Sequence, residues 1–370
     1  MIRMNDFRRQ WTDTREAAIT AFATVGESGW YVLGEEVRRF EKSLAEFWGL
    51  PHAVGVASGL DAIEIALRVV GCKPGDRVLT TPLSAFATSL AIARIGALPV
   101  FIDCDPFGLV DLDMACAVLK ANRDIHFFVP VHLYGHALNL ERLAVIGEEF
   151  SCIVVEDCAQ SIGADYCGVP TGSAGSIAAS SFYPTKNLGA MGDGGVILSK
   201  TEEHAARARV YRDYGQCAKY RHEVLGYNSR LDELQAALLH RVYLESLPRW
   251  TKHRQHIASC YIAELSNPHI KVPGAPRGSN SSWHLFPVLV NPPHKRAFMA
   301  WLQSNEIGCG EHYPVPIPEQ PAMTGVDFQY GGELRNARCF CASEVSLPIH
   351  PYLTNEEVAL VIQVCNSWRP

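Results

Sequence analysis

Three short stretches of this sequence carry residue types that could act together on one anionic ligand with a carbonyl group. Lys186 lies between a short β-like run and a glycine-rich turn, and a lysine amine can attack a carbonyl carbon. Asp157 ends an apolar run, where an unpaired charge is costly and a cationic partner is favoured. Ser58, Gly59 and Leu60 lie between a strand and a helix, where free N–H groups and the helix dipole can bind an anion.

Short apolar strands alternate with helices through the first half of the chain. Strands are predicted at 53–57, 77–81, 98–102, 126–132, 152–155 and 177–183, with helices ending at 70 and spanning 84–95, 112–121 and 140–149. This alternation predicts an α/β fold with a mostly parallel central sheet and helices on both faces. Ser58, Asp157 and Lys186 each follow a strand end, which is where ligands bind in such sheets.

Each of these residues also has an ordinary structural explanation. Lys186 could be a solvated loop lysine, Ser58 could simply cap a helix, and Asp157 could be a cap or a surface acid. Their shared location at strand ends favours the functional interpretation of all three.

A chain of 370 residues is long enough for two domains. We predict a large domain over 1–245, with an N-terminal helical segment at 13–48, and a smaller α+β domain over 246–370. The boundary lies in a long helix predicted from 231 to 247, interrupted by Pro248 and resumed to 265. The second half continues with a linker at 273–282, a strand at 283–290, a helix at 295–305, a proline-rich loop at 313–321 and a helix at 355–368.

Composition and missing motifs exclude several classes of protein. The chain is 48% hydrophobic with a formal net charge of -6, and it has no basic run that would indicate nucleic-acid binding. No apolar run reaches membrane-spanning length and no signal peptide is recognisable, so we expect a cytoplasmic protein without membrane contact. The 12 cysteines are scattered and predict neither disulfides nor a metal site. Glycine fingerprints of dinucleotide-binding and Walker-type loops are absent.

Pyridoxal phosphate is a cofactor whose needs match these residues. It needs a lysine for its aldehyde, a carboxylate for its pyridine nitrogen, an anion site for its phosphate and a flat cover for its ring. Lys186, Asp157 and the helix start at Ser58 offer the first three.

The chain also resembles a known family from about Gly29 to its C-terminus. The matching stretches are Tyr31–Gly34, Val54–Ala62, Pro130–Gly135, Glu156–Ser161, Ser181–Gly189, Gly192–Gly195 and Asn228–Ala237. In these stretches the chain is similar to the fold-type I, pyridoxal-phosphate-dependent sugar aminotransferases of the DegT/DnrJ/EryC1/StrS group. The last three stretches are the most specific.

The resemblance implies roles at the cofactor ring. Lys186 would form the Schiff base with the cofactor and serve as the acid–base group, while Asp157 would pair with the pyridine nitrogen. Gln160 would contact the ring hydroxyl. A gapless comparison puts Ala85 where the family has a ring-covering aromatic residue, so Phe86, one position on, is the expected cover.

The resemblance also implies how the phosphate is held. The amides of Gly59 and Leu60 and the Ser181 hydroxyl would bind it, beside Ser58; family members often have threonine at the position of Leu60, so one side-chain contact is lost here. Asn228 would reach the phosphate of the neighbouring subunit's cofactor, which implies a homodimer with shared active sites.

For the substrates, the resemblance implies an amino donor such as L-glutamate and a keto sugar acceptor. The stretch from His312 to Pro316 resembles a loop of family members that act on 3-keto nucleotide-linked sugars, and Tyr183, His312 and Tyr313 are the expected substrate contacts. The same stretch could also be a plain surface turn. Candidate cations for anionic substrate groups are Arg212, Lys219 and Arg230.

Other functions remain open on the sequence alone. An aminocyclitol aminotransferase or a synthase of the same fold would keep the lysine, whereas the sugar dehydratases carry histidine at the position of Lys186. A non-catalytic regulatory partner is a different class of alternative. It would have no chemical need for Lys186, Asp157 and Gln160 together, although Gln160, Ser181 and Asn228 could each be ordinary polar residues.

Overall fold

A computed structural model describes every residue from Met1 to Pro370. The strands are β1 (His52–Val56), β2 (Arg77–Thr80), β3 (Leu98–Phe101), β4 (Ile125–Val129), β5 (Ile153–Asp157), β6 (Asp165–Tyr166), β7 (Val169–Pro170), β8 (Ile177–Ser181), β9 (Gly195–Ser199), β10 (Gln216–Ala218), β11 (Arg221–His222), β12 (Ile270–Lys271), β13 (Ser279–Asn280), β14 (Phe286–Val290), β15 (Gln329–Tyr330) and β16 (Glu344–Leu347). The helices are α1 (Phe7–Ser28), α2 (Glu35–Trp48), α3 (Gly59–Val69), α4 (Phe86–Ile95), α5 (Leu112–Ala121), α6 (Leu140–Glu149), α7 (Glu202–Arg212), α8 (Glu233–Leu238), α9 (Leu244–Glu264), α10 (Pro292–Ser304), α11 (Arg335–Ser343) and α12 (Asn355–Ser367).

Eight strands form the central sheet, in the order β1-β9-β8-β5-β4-β2-β3-β15. Strand β9 is antiparallel to both of its neighbours, and all other pairs are parallel. The predicted, mostly parallel sheet is therefore confirmed. Because β1, β8, β5 and β4 run in the same direction, their carboxyl ends meet at one edge of the sheet.

Helices cover both faces of this sheet, as the unbroken apolar strands predict. On β1, Ala53 packs into a core that includes Leu44 of α2. Its neighbour Val54 points to the opposite face, into a core that includes Ile63 of α3. No helix of the chain combines the length and the apolar character that a bilayer crossing requires.

A second, three-stranded sheet lies in the C-terminal part, in the order β12-β14-β16. With α9, α10 and α12 it encloses its own core, which includes Tyr261, Phe298 and Val361. Other C-terminal elements join the large core instead: Phe340 of α11 packs with Leu83, and β15 extends the central sheet. The division into 1–245 and 246–370 stays a prediction.

Two helix predictions need correction. The helical segment predicted at 13–48 is two helices, because the chain turns at Gly29 in the left-handed region, at φ 64°. The predicted break at Pro248 is wrong, since Pro248 lies inside α9. The irregularity comes earlier, as a π-helical turn over 239–243. That wide turn ends at Tyr243, five residues before the proline.

Candidate active site

A cavity of about 590 Å³ lies at the carboxyl edge of the central sheet. It is closed from the other side by C-terminal residues and by the N-terminal segment. Of the residues singled out from the sequence, those that line it are Gly59, Leu60, Ala85, Asp157, Gln160, Ser181, Tyr183, Lys186, His312 and Tyr313. Stretches far apart in the sequence therefore converge on one site, as their positions at strand ends predict.

Asp157, the last residue of β5, is buried at the base of this cavity. One carboxylate oxygen accepts a hydrogen bond from the Ala159 amide at 3.0 Å, and the other accepts from the Thr88 hydroxyl at 2.8 Å. Burial raises the pKa of Asp157, although these two bonds and the charge of Lys186 oppose the rise. The carboxylate is thus oriented from two sides and is stabilised further by any cation placed before it.

Lys186 lies in the turn that follows β8, and its amide donates to the Tyr183 carbonyl at 2.8 Å. Burial lowers the pKa of the Lys186 amine to about 8, and the charge of Asp157 opposes this shift. A much larger fraction of this amine is therefore neutral near physiological pH than of an ordinary lysine. Such an amine can act both as a nucleophile and as a base.

The start of α3 forms a tight cradle beside the end of β8. A Cβ atom on Gly59 would lie 2.6 Å from the Cβ atom of Ser181, so only glycine fits. The side chain of Ser58 caps the helix by accepting from the Asp61 amide at 3.1 Å. The amides of Gly59 and Leu60 have no partner within the helix, as in any first helical turn, and can receive an anion.

Gln160 lines another wall of the cavity, where its side chain takes part in a hydrogen-bond network. Its side-chain oxygen accepts from the Tyr134 amide at 2.7 Å, and its amide nitrogen donates to the Tyr313 hydroxyl at 3.1 Å. The Tyr134 hydroxyl in turn donates to the carbonyl of His312. This network ties the loop that carries His312 and Tyr313 to the sheet.

Three of the predicted cofactor residues lie outside the cavity lining. Ser58 uses its side chain as the helix cap. Phe86 begins α4 and packs against the core that contains Leu83 and Phe340, whereas Ala85 faces the cavity. Asn228 is exposed, and its side-chain oxygen accepts from Arg230 at 2.5 Å.

Two of the candidate cations are already paired. Arg212 is buried under β1, where it donates to Glu41 at 2.5 Å and to the Gly55 carbonyl at 2.9 Å. It is therefore a structural cation, not a ligand for substrate. Arg230 pairs with Asp213 at 2.8 Å. The third cation, Lys219, lies on the exposed turn between β10 and β11.

Sequence reasoning missed several residues of the cavity lining. Thr88 is the most important, because it bonds directly to Asp157. His284 contributes an imidazole whose Nδ1 lies 3.3 Å from the Asn187 side-chain oxygen. Met4 and Asn5 come from the N-terminal segment, which the matching stretches do not include. Only the position of Thr88, two residues past the expected ring cover, offered a sequence signal.

The arrangement fits a small aromatic aldehyde that carries a phosphate. Lys186 supplies the amine, Asp157 supplies an oriented carboxylate that lacks a cation at bonding distance, and the cradle at Gly59 supplies free amides. The wall formed by Gln160 and Tyr313 can receive a polar group on the ring.

Comparison with known proteins agrees with this arrangement. A protein from Geobacillus stearothermophilus named pleiotropic regulatory protein is 37% identical, with 97% of this chain and 96% of the relative covered. The dTDP-3-amino-3,4,6-trideoxy-alpha-D-glucose transaminase of Streptomyces venezuelae is also 37% identical, covering 98% and 95%. The solved structure of DesV from S. venezuelae, in complex with a ketimine intermediate, superposes with a TM-score of 0.93 at 37% identity, covering 100% and 99%.

The sequence also matches a family as a whole, over residues 12–366. The match includes every cavity residue discussed above except Met4 and Asn5. The predictions of the fold class and of a transaminase are confirmed. The chain belongs to the DegT/DnrJ/EryC1/StrS aminotransferase family.

Proposed function

We propose that this aminotransferase uses pyridoxal phosphate to carry an amino group from L-glutamate to the keto group of a nucleotide-linked sugar, most specifically a 3-keto deoxy sugar. The observation that carries the proposal is that Lys186 and Asp157 line one cavity, with the pKa of the lysine lowered to about 8. Members of the family are aminotransferases, which use pyridoxal phosphate.

The proposed role of each residue follows from its position in the cavity. Lys186 would attach the cofactor and then move protons at the carbon that gains or loses the amino group. Asp157, held by Thr88 and the Ala159 amide, would keep the ring nitrogen protonated. The cofactor, when bound, supplies an electrophilic carbon for the amine and a ring that withdraws electrons from that carbon.

The phosphate would lie at the cradle where α3 begins. Gly59 and Leu60 offer amides there and Ser181 offers a hydroxyl, while the dipole of α3 favours a negative charge. Gln160 would bond to the ring hydroxyl. Phe86 lies off the cavity lining in the single chain, so covering the ring would require it to turn inward.

Support for a sugar acceptor comes from the residues at the cavity mouth and in the loop that carries His312 and Tyr313. Tyr183, 53% exposed at the cavity mouth, and the loop residues His312 and Tyr313 present groups that can bond to sugar hydroxyls. The S. venezuelae relative is named as a transaminase of a dTDP-linked deoxy sugar.

We also propose that two copies of the chain complete the site. Trp30, Tyr31 and Val32 are exposed, and Leu234, exposed as well, adjoins them through the contact of Val32 with Asp232. An apolar surface of this kind is typical of an interface. Asn228 does not line the cavity of its own chain, so a contact across the interface would give it the phosphate-binding role.

The acceptor is tested in a half-reaction. The purified protein is loaded with pyridoxal phosphate, converted with L-glutamate and freed of keto acid, and then offered dTDP- and UDP-linked 3-keto sugars, a keto cyclitol or 2-oxoglutarate alone. We expect a nucleotide-linked sugar to restore the starting spectrum and to become aminated. Amination of the cyclitol alone would favour an aminocyclitol aminotransferase. Conversion by glutamate with no response to any sugar would contradict the proposed acceptor. A cofactor band that ignores glutamate would favour another amino donor or a synthase, and the absence of any cofactor band would favour a regulatory protein.

A further inference from the structure

Behind His312 lies a buried hydrogen-bonded chain that none of the roles above uses. The His312 Nδ1 atom is 2.9 Å from the Ser346 hydroxyl, and that hydroxyl donates to Glu344 Oε1 at 2.5 Å. The other oxygen of Glu344 accepts from the His312 amide at 2.6 Å. Glu344 and Ser346 have essentially no exposure to solvent.

The fold brings these residues together by strand geometry. Glu344 and Ser346 are alternate residues of β16, so their side chains point to the same face. Gly310 pairs with Ser346 by two backbone hydrogen bonds, of 2.8 and 3.2 Å, which lays the next residues alongside β16. His312 is therefore held by Glu344, by Ser346 and by the hydroxyl of Tyr134, and its ring faces the cavity.

One hydroxyl proton cannot serve two acceptors, and this fixes the tautomer of His312. When Glu344 is ionised, Ser346 donates to it, so His312 must donate from Nδ1, and Nε2 faces the cavity as an acceptor. When Glu344 is protonated, it donates to Ser346, which then donates to Nδ1. In that state His312 carries its proton on Nε2 and donates into the cavity.

We propose that Glu344 and Ser346 are positioning residues that set which ring nitrogen of His312 carries the proton, and thereby relay a proton between Glu344 and the acceptor substrate. The step balances: Nε2 gives its proton to the substrate oxygen, Nδ1 takes the proton of Ser346, and Ser346 takes that of Glu344. The link to the acceptor rests on the proposed function, because the keto oxygen of an acceptor must gain protons to leave as water.

The pKa values of Glu344 and His312 allow this relay to change state near neutral pH. Burial raises the pKa of Glu344 to about 7, and burial with the charge of Lys186 lowers the pKa of His312 to about 4. Around neutral pH the ring is thus neutral while Glu344 changes state. The charged groups facing Glu344 are Lys295 and Glu311, themselves paired at 2.6 Å.

The tyrosines and cysteines around the relay stay uncharged near neutral pH. Tyr134 and Tyr313 face Glu344 and have raised pKa values, as do Cys309 and Cys341. On the cavity side, His312 faces Lys186, Glu311 and His284. Burial holds the pKa of His284 well below its usual range, and its Nδ1 contacts the amide of Asn187, which does not titrate.

The direct test is the tautomer of His312, measured by ¹⁵N NMR on the full chain labelled at histidine, with and without pyridoxal phosphate. The His312 signals are identified by their loss in His312→Gln. We expect the proton to move from Nε2 to Nδ1 as the pH rises through about 7. Ser346→Ala and Glu344→Gln should each abolish this change, whereas Ser343→Ala, at a buried serine outside the relay, should keep it.

Activity supplies the second readout. In the half-reaction with the keto acceptor, Ser346→Ala should lower kcat/KM by about 3- to 10-fold and remove an ionisation near pH 7, with the glutamate half-reaction unchanged. A tautomer that ignores pH in the wild type, or one that still switches in both variants, would overturn the relay. Failure of the glutamate half-reaction in the wild type would instead contradict the proposed function and leave the NMR result standing.

Discussion

At the scale of single residues, the amine of Lys186 is the group whose environment matters most. Its pKa of about 8 means that about half of the amine is neutral at pH 8, against about 0.3% for an unperturbed lysine. We therefore predict that covalent attachment of pyridoxal phosphate to the cofactor-free protein accelerates as the pH rises through about 8. Stopped-flow absorbance from about pH 6 to 10 measures this profile, and a midpoint near the ordinary lysine pKa would contradict it.

Thr88 offers a second prediction at this scale, because it donates to the buried carboxylate of Asp157 at 2.8 Å. Thr88→Val keeps the shape and removes the donor. A hydrogen bond to a charged group contributes about 1.5–3 kcal/mol, so we expect transamination to fall by about 10- to 100-fold. Thr88→Ser keeps the hydroxyl and is the matched control, expected within about threefold of the wild type. Equal rates in all three proteins would remove Thr88 from the site.

At the scale of elements, the contact between the start of α3 and the end of β8 forms the anion cradle. Gly59→Ala would press a methyl group against Ser181, and overpacking of a tight contact costs about 1–3 kcal/mol. We predict that the affinity for pyridoxal phosphate falls about tenfold or more, as measured by equilibrium dialysis.

The matched control is Gly26→Ala, in the last turn of α1, where nothing lies within 4 Å of the added carbon. It should leave cofactor affinity unchanged and raise the free energy of unfolding by about 0.5–1 kcal/mol. If both variants bound the cofactor like the wild type, the cradle would not be the phosphate site.

The elements were predictable where local pattern and packing agree. The unbroken apolar strands and the helices between them follow the sequence closely; α5 and α6 occur at the predicted residues. The short helix α11 and the strand β16 were missed, because segments of nine and four residues are too short for a period to be recognised in the sequence. The proline in α9 was misjudged because the helix continues through Pro248, after a π-helical turn over 239–243.

For the site, the sequence could predict the residues that directly follow strands. It could not predict the side chains of other elements that bond to them. Lys186, Asp157 and Gly59 converge because parallel strands share one edge. Thr88, by contrast, meets Asp157 only through the packing of α4 on the sheet. The contact of His312 with Ser346 depends on a bridge between the His312 loop and β16, which no local pattern encodes.

At the scale of the whole molecule, the proposed role of Asn228 depends on a second copy of the chain. If Asn228 serves the partner's site, a dimer of one Lys186→Ala chain and one Asn228→Ala chain contains one intact site and one with both defects. We predict that mixing the two variants under conditions that let subunits exchange gives more activity than the sum of the activities of the two separate proteins. Light scattering gives the oligomeric state in parallel.

The control for this mixture is Lys186→Ala with an Asp157→Asn chain. Both residues line the same cavity, so every site of the mixed dimer keeps one defect. No gain is expected there. Restoration in this control, or its absence with Asn228→Ala, would contradict shared sites.

The central claim is that Lys186 and Asp157 make this cavity a pyridoxal phosphate site that accepts amino groups. The most direct measurement is the absorbance spectrum of the purified protein with pyridoxal phosphate, before and after L-glutamate, beside Lys186→Ala. We predict a visible band in the wild type that L-glutamate bleaches, and neither band nor bleaching in the variant. A wild-type protein without the band, or a Lys186→Ala protein that transaminates at a near wild-type rate, would contradict the account.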